Sequence, residues 1–293
     1  MPLRLVRARD ADHFDQLAFD FLAAREAEHN LLFGIVAGVR SGGYARPPYF
    51  AVVRDGERVV AAALRTPPFR LVLSSIDDAA ALPLFVDDAA LVWPDLPGVL
   101  GPKGYAGRFA ALWQERTGMA TTLHAEERVF QLRQVRRPPP IAGAPRLADA
   151  RDRAVIIEWL VAFATEALGQ PGDPNEAAFA ADRSIAMVGG RSMYVWDDGG
   201  PVSLTGVAAV TPRGSRIGPV YTPPDLRGRG YASALVAAAS QQQLDDGREF
   251  CFLFTNLANP TSNKIYEAIG YEPVCDMDEY RFAAPVIHAP ADT

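Results

Sequence analysis

The sequence predicts an α/β protein in which one α/β unit is used twice, and three observations predict it. A strand–turn–helix–strand–helix succession occupies residues 216–270. A three-strand meander occurs once in each half of the chain. Between the halves lies a proline-rich stretch, whose fixed φ and missing N–H groups exclude both helix and central strand.

The divider is Gln134-Val135-Arg136-Arg137-Pro138-Pro139-Pro140-Ile141-Ala142-Gly143-Ala144-Pro145. It places a first domain at 1–137, a linker at 138–145 and a second domain at 146–293. In the first half a helical stretch from Phe14 to Asn30 precedes the strand Tyr49-Phe50-Ala51-Val52-Val53. A turn at Asp55-Gly56 leads to Val59 through Leu64, and Thr66-Pro67-Pro68 leads to Phe69 through Leu73. In the second half a helical stretch from Asp152 to Leu168 precedes Met193-Tyr194-Val195-Trp196. A turn at Asp198-Gly199-Gly200 leads to Val202 through Val210, and Thr211-Pro212-Arg213-Gly214 leads to a strand ending at Thr222. Asp-Gly turns between β-branched and aromatic runs read as hairpins in both halves. Phe109 to Trp113 before Gly118 parallels Ile265-Tyr266 before Gly270. Gly98 to Gly104, with Lys103, reads as a surface loop rather than a second phosphate site.

The turn Pro223-Pro224-Asp225-Leu226-Arg227-Gly228-Arg229-Gly230-Tyr231-Ala232 carries the most chemistry. It joins the strand ending at Thr222 to a helix expected from Ala232 to Leu244, so orphan backbone N–H groups and two arginines meet at a helix N-terminus. Such a terminus attracts a pyrophosphate through its amides and its dipole. Gly228, Gly230 and Ala232 keep bulk away from the backbone. A P-loop would need a Lys after Gly230, and a Rossmann turn would need a third glycine and a downstream acid. The matching position of the first half, Ile76-Asp77-Asp78-Ala79-Ala80, carries two carboxylates that would repel a pyrophosphate.

Thirty residues on, Glu249 to Thr255 reads as an aromatic-rich strand, followed by Asn256-Leu257-Ala258-Asn259 and a helix from Pro260. Asn259 suits the N-cap, Pro260 the first helical position and Gly270 the left-handed C-terminal position. Ile265, Tyr266 and Ile269 share a face. Taken singly, Asn259 reads as a cap and Tyr266 as core.

Together these segments resemble the GNAT superfamily of acyl-CoA-dependent acyltransferases. Arg227-x-x-Gly230-x-Ala232 is similar to its pyrophosphate loop, and Asn259-x-x-Ser262…Tyr266-x-x-x-Gly270-Tyr271 is similar to its closing motif. Motif-level resemblance spans 146–282, whereas the N-terminal half resembles the fold pattern only, as a degenerate copy. The resemblance implies an α/β (α+β) fold of two tandem GNAT-like domains, each a mixed, mostly antiparallel sheet flanked by helices. It implies acetyl-CoA as acyl donor, its pantetheine paired along Val220-Tyr221-Thr222 and its phosphates at Arg227, Gly228, Arg229, Gly230, Tyr231 and Ala232. Asn259 and Ser262 would contact the same molecule, and Tyr266 would protonate the departing thiolate. The implied reaction is direct acetyl transfer to a primary amine of a small molecule or peptide. A non-catalytic acyl-CoA sensor or interaction protein, and a binder of another phosphorylated ligand, stay open.

The general base is the least defined element. Glu166, on the helix expected to cover the acceptor site, is the candidate, beside the plainer reading of a solvent-facing glutamate. Ser203 and Thr205 could relay a proton through water, and Glu26, Glu28 and His29 form a polar group in the first half. Cys251 lacks an activating base nearby in sequence.

Composition bounds the rest. Of 293 residues 49% are hydrophobic and 22% charged, which suits a globular chain. A net charge of −6 and no broad basic face argue against a nucleic-acid partner. The start Met1 to Arg7 lacks the apolar region of a signal peptide, and no apolar run approaches membrane-spanning length. Two cysteines, Cys251 and Cys275, fit reduced thiols in a cytoplasmic protein. His13, His29, His124 and His288 show no metal-ligand spacing, so no metal is expected. Whether the chain acts alone or as a homodimer is left open.

Overall fold

The computed structural model describes residues 2–167, 169 and 171–283. Leu168, expected at a helix end, and His288 lie outside the described residues. The chain falls into two compact units, one running to Glu127 and resuming at Cys275, the other Arg128–Val274. The sequence places its domain boundaries at 137 and 145, both inside the second of these units.

The first unit contains β1 (Arg4–Arg7), α1 (Ala11–Ala23), α2 (Asn30–Arg40), β2 (Tyr49–Asp55), β3 (Arg58–Arg65), β4 (Leu71–Leu73), α3 (Ala81–Val92), β5 (Gly98–Pro102) and α4 (Tyr105–Thr117). Strand β6 (Ala120–Leu132) leads into the second unit, with β7 (Ala144–Leu147), α5 (Arg153–Ala167), α6 (Pro174–Ile185), β8 (Ser192–Asp197), β9 (Pro201–Val210), β10 (Gly214–Tyr221), α7 (Tyr231–Asp245), β11 (Phe250–Asn256) and α8 (Pro260–Ile269). Strand β12 (Glu272–Ala283) returns to the first unit, where Met277–Arg281 pair antiparallel with Pro102–Gly98 of β5.

Strand order is β1-β2-β3-β4-β5-β12 in the first unit and β6-β11-β10-β9-β8-β7 in the second. Each unit has an antiparallel meander, β2-β3-β4 or β8-β9-β10, followed by one parallel neighbour. Those parallel pairs, β4–β5 and β10–β11, are each bridged by a helix, α3 or α7, because parallel strands need a long crossover. The duplicated meander expected from the sequence is present, and each unit is a mixed, mostly antiparallel sheet flanked by helices. On β2 the side chains alternate between two cores, Tyr49, Ala51 and Val53 on one face and Phe50 and Val52 on the other.

Three local expectations differ from the structure. The helix expected over 14–30 is two helices, because His29 is buried between the Leu22 carbonyl and Ser75 and draws the chain out of the first helix. The loop expected at Gly98–Gly104 is strand β5 through Pro102. Its glycines serve packing, since a Cβ on Gly98 would sit 2.1 Å from the Tyr280 carbonyl oxygen. Lys103 is paired with Glu126 instead of offering a phosphate site. The linker ends early, at Ala144, where β7 begins; Trp196 Nε1 donates to the Ala142 carbonyl at 2.8 Å and holds the segment before it. Among the described residues no helix is long and apolar enough to cross a membrane.

Candidate functional site

The site is built on a gap in the second unit's sheet. The parallel ladder between β10 and β11 covers Gly214↔Phe250, Ser215↔Cys251 and Arg216↔Phe252, and stops there. Both strands run on, β10 to Tyr221 and β11 to Asn256. Register shifts in the β9–β10 pairing flank Ile217, and Gly218 takes φ 137°, a value that glycine alone adopts easily. The edge of β10 that faces β11 is thus without a ladder partner after Arg216, and Gly218, Pro219 and Val220 are half-buried along it. An extended chain bearing amides could add there as a strand does.

At the end of that edge the chain makes a short 3-10 turn at Pro224–Leu226 and enters α7. Gly228 and Gly230 sit at φ 77° and 86°, so the turn itself requires glycine at both positions. A Cβ on Gly228 would meet nothing within 4 Å, leaving space over the turn. The first helical bond of α7 runs from Ala234 N–H to the Gly230 carbonyl at 3.0 Å. The amides of Tyr231, Ala232 and Ser233 therefore lack intrahelical partners, and no side chain caps them and no acid stands in the first turn. Ile141 packs 3.4 Å from where a Gly230 Cβ would stand, which brings the connecting segment beside the turn. Asp225 has a turn role: its carbonyl accepts from Arg229 Nη2 at 3.1 Å. Tyr231 anchors the helix start by donating its hydroxyl to Asp198 at 2.7 Å.

Glu166 reaches this turn from α5. It accepts from the Tyr221 hydroxyl at 3.0 Å and from Arg227 Nη2 at 2.6 Å, while Arg227 Nε holds the Thr222 carbonyl at 2.8 Å. The Arg227 hydrogen bond, aided by the Tyr221 hydroxyl and opposed by slight burial, pulls the Glu166 carboxyl below its ordinary range. Burial, and then the bond to Glu166, raise the Tyr221 hydroxyl. Sequence separations of 55 and 61 residues hid this three-residue cluster, although all three residues were singled out individually.

Asn259 caps α8 as expected, its side-chain oxygen accepting from Ser262 N–H at 3.1 Å, and Gly270 closes the helix at φ 107°. Tyr266 lies in the core cluster with Ile217 of β10 and Leu253 of β11, and Val220 packs against that cluster. Its hydroxyl has no hydrogen bond among the described residues, and burial raises it to about 12. Tyr271, behind it, bonds Ser240 at 2.8 Å. Ser203 is wholly buried and ties β9 to β10 through the Tyr221 carbonyl and the Thr222 hydroxyl; with Thr205 also buried, neither offers an open proton relay. Cys251 is buried and its thiol is pushed up to about 12, which suits packing and not nucleophilic attack.

The first unit fills the equivalent turn before α3 with its own charges. Asp77 accepts from Arg25 at 2.5 Å, and Asp78 accepts from the Ala80 amide at 2.9 Å. Next to them Glu26 and His29 are buried and Glu28 is raised by burial, so this polar group packs inside the unit.

A sequence model of the FR47-like protein family matches residues 201–282, the span from β9 through the turn and α8 into β12. The chain is similar to a GCN5-related N-acetyltransferase from Sphaerobacter thermophilus at 16% identity and a TM-score of 0.63, covering 99% of each chain. It is also similar to a GCN5-related N-acetyltransferase from Kribbella flavida, at 17% identity and a TM-score of 0.60, covering 91% of this chain and 97% of that one. A tandem GNAT protein from the clavulanic acid biosynthesis pathway matches at 17% identity and a TM-score of 0.58, over 99% of this chain and 100% of that chain. The fold is the one these GNAT proteins have. No curated protein matches. The match of a tandem GNAT protein over nearly all of this chain accords with the duplicated topology.

Proposed function

We propose that the protein is an acetyl-CoA-dependent N-acetyltransferase that acts on a primary amine of a small molecule or peptide. The observation that carries this reading is the joining of an unpaired β10 edge to an uncapped, glycine-lined turn at the start of α7. Acetyl-CoA fits both parts: its amides match an open strand edge, and its diphosphate matches the three free amides of Tyr231, Ala232 and Ser233. Bound there, it supplies a thioester carbonyl that an amine can attack.

In this reading Val220, Tyr221 and Thr222 orient the donor, and Arg227, Gly228, Arg229 and Gly230 wrap its phosphates. Asn259 and Ser262 flank the gap from α8. The amine nitrogen forms the new C–N bond, the C–S bond breaks, and Tyr266 gives its proton to the departing sulfur. A phenol raised to about 12 remains protonated at neutral pH and is available for that transfer. Glu166 is the carboxylate nearest the turn that could accept the amine's proton, through water. Its pairing with Arg227 makes it a weak base, so an ammonium-docking carboxylate is its second role. The same pairing supports the alternative of an acyl-CoA sensor without turnover. Two free thiols support a cytoplasmic location in this reading.

The test is calorimetric titration with acetyl-CoA, then CoA release across a panel of amines, for the native chain and Tyr266→Phe. Turnover should fall at least tenfold in the variant with acetyl-CoA affinity unchanged. Binding without turnover on any amine would favour the sensor, and no binding would remove the acetyl donor.

A further inference from the structure

We propose that the first unit holds a binding site for a small organic carboxylate, in a cleft lined by the ends of β1, β3 and α3 and the start of β2. The cleft measures about 510 Å³ and is lined by Arg46, Tyr49, Arg65, Trp93 and Asp95 among others. It lies wholly within the first unit and does not rest on the acyl-transfer reading.

Arg65 is the observation that points to a ligand. This residue is 96% buried, at 4% relative exposure, yet its guanidinium is incompletely satisfied. Nε donates to the Phe69 carbonyl at 2.8 Å, and the guanidinium stacks over Trp93 at 4.6 Å from the ring centre. Nη1 is closed off from solvent and has no hydrogen-bond partner. A buried cation with an unused donor is unfavourable unless an anion completes it. Burial pushes the group down from its ordinary range, with Asp95 opposing and Arg46 adding to the push.

The neighbouring acids do not complete it. Asp88 is taken up by two nitrogens of Arg7 and by the Tyr49 hydroxyl. Asp95 is near enough to act on Arg65 electrostatically, but among the described residues neither Arg65 nor Arg46 has an ion pair. Two arginines against one aspartate leave one positive charge in the cleft. One planar anion therefore fits beside the Arg65 guanidinium, held by its charge and by the exposed Arg46 across the cleft. Proline, Tyr49 and Trp93 make the remaining walls flat and apolar. An aromatic or aliphatic body on a carboxylate matches them better than a phosphate, whose higher charge would ask for more donors.

The test is a calorimetric titration of the full chain with benzoate in low-chloride buffer, repeated in the presence of inorganic phosphate. The native chain should bind benzoate saturably, and phosphate should not displace it. Arg65→Met should weaken binding at least tenfold. Arg46→Glu, at an exposed position where folding is not at stake, should weaken it by a similar factor. Gly230→Glu, in the other unit, should leave it unchanged. The proposal is overturned if benzoate does not saturate, if Arg46→Glu has no effect, if phosphate competes equally, or if Gly230→Glu abolishes binding.

Discussion

Replacing Arg227 with Gln separates its structural role from its proposed role at the phosphate turn. In the structure Arg227 pairs with Glu166, and the two side chains are 47% and 42% exposed. An ion pair this exposed contributes about 0.2–1 kcal/mol. Adding the lost Nε bond to the Thr222 carbonyl brings the total to about 1–2 kcal/mol. For a chain of this size the melting temperature should then fall by no more than about 8 °C. Contact with a diphosphate is a charge-assisted bond worth about 1.5–3 kcal/mol, so acetyl-CoA affinity should drop about 10- to 150-fold. Glu166→Gln works in the other direction: it frees Arg227 from its competitor, and affinity should hold or rise by up to about fivefold, matching at most about 1 kcal/mol. Thermal melts and calorimetry on both single variants and the double variant measure the two effects separately. If both single variants weaken acetyl-CoA equally, or neither changes it, Arg227 serves the fold and the phosphate assignment fails.

Three further predictions follow from particular contacts. Burial holds His29 neutral, lowering it from 6.5 to about 4, with Nδ1–H donating to Leu22 and Nε2 accepting from the Ser75 amide. Because the unfolded chain binds the proton first, stability should be full above pH 6.5 and fall by up to about 3 kcal/mol as pH drops toward 4. His29→Gln should flatten that slope in pH-dependent urea melts. Phe282 of β12 stacks on Trp113 at 5.4 Å inside the first unit, so Phe282→Ala should remove about 3 kcal/mol there. Hydrogen exchange should then accelerate at Val99 and Leu100 and stay unchanged at Leu235 and Val236. Gly270→Ala forces φ 107° on an L residue and brings its Cβ within 2.6 Å of the Gln134 carbonyl oxygen. A loss of at least about 2 kcal/mol is expected in denaturant melts of the second unit.

The local chemistry of the site was legible because it is contiguous in the chain. Gly228 and Gly230 are needed at positive φ, Asn259 caps, Pro260 starts and Gly270 ends its helix, and each of those requirements acts over a few residues. The meanders were legible for the same reason, since Asp-Gly turns set hairpin pairing locally. Other elements left no clear local signal. Helix α6 and strands β1, β6 and β12 were not read from the sequence; the register of β12, for one, is set by its distant partner β5. Gly98 looked like loop because only the Tyr280 carbonyl beside it explains the missing side chain.

By itself, then, the sequence determined the repeat, the glycine turn and the caps around Tyr266, all set by backbone preferences within a few residues. Only the tertiary structure decided that β10 and β11 part after Arg216, that β12 serves the first unit, and that Glu166 holds Arg227. Those outcomes depend on strand pairing and side-chain reach across 36 to 181 residues, as between Gly214 and Phe250 or Val99 and Tyr280, distances at which no local propensity acts.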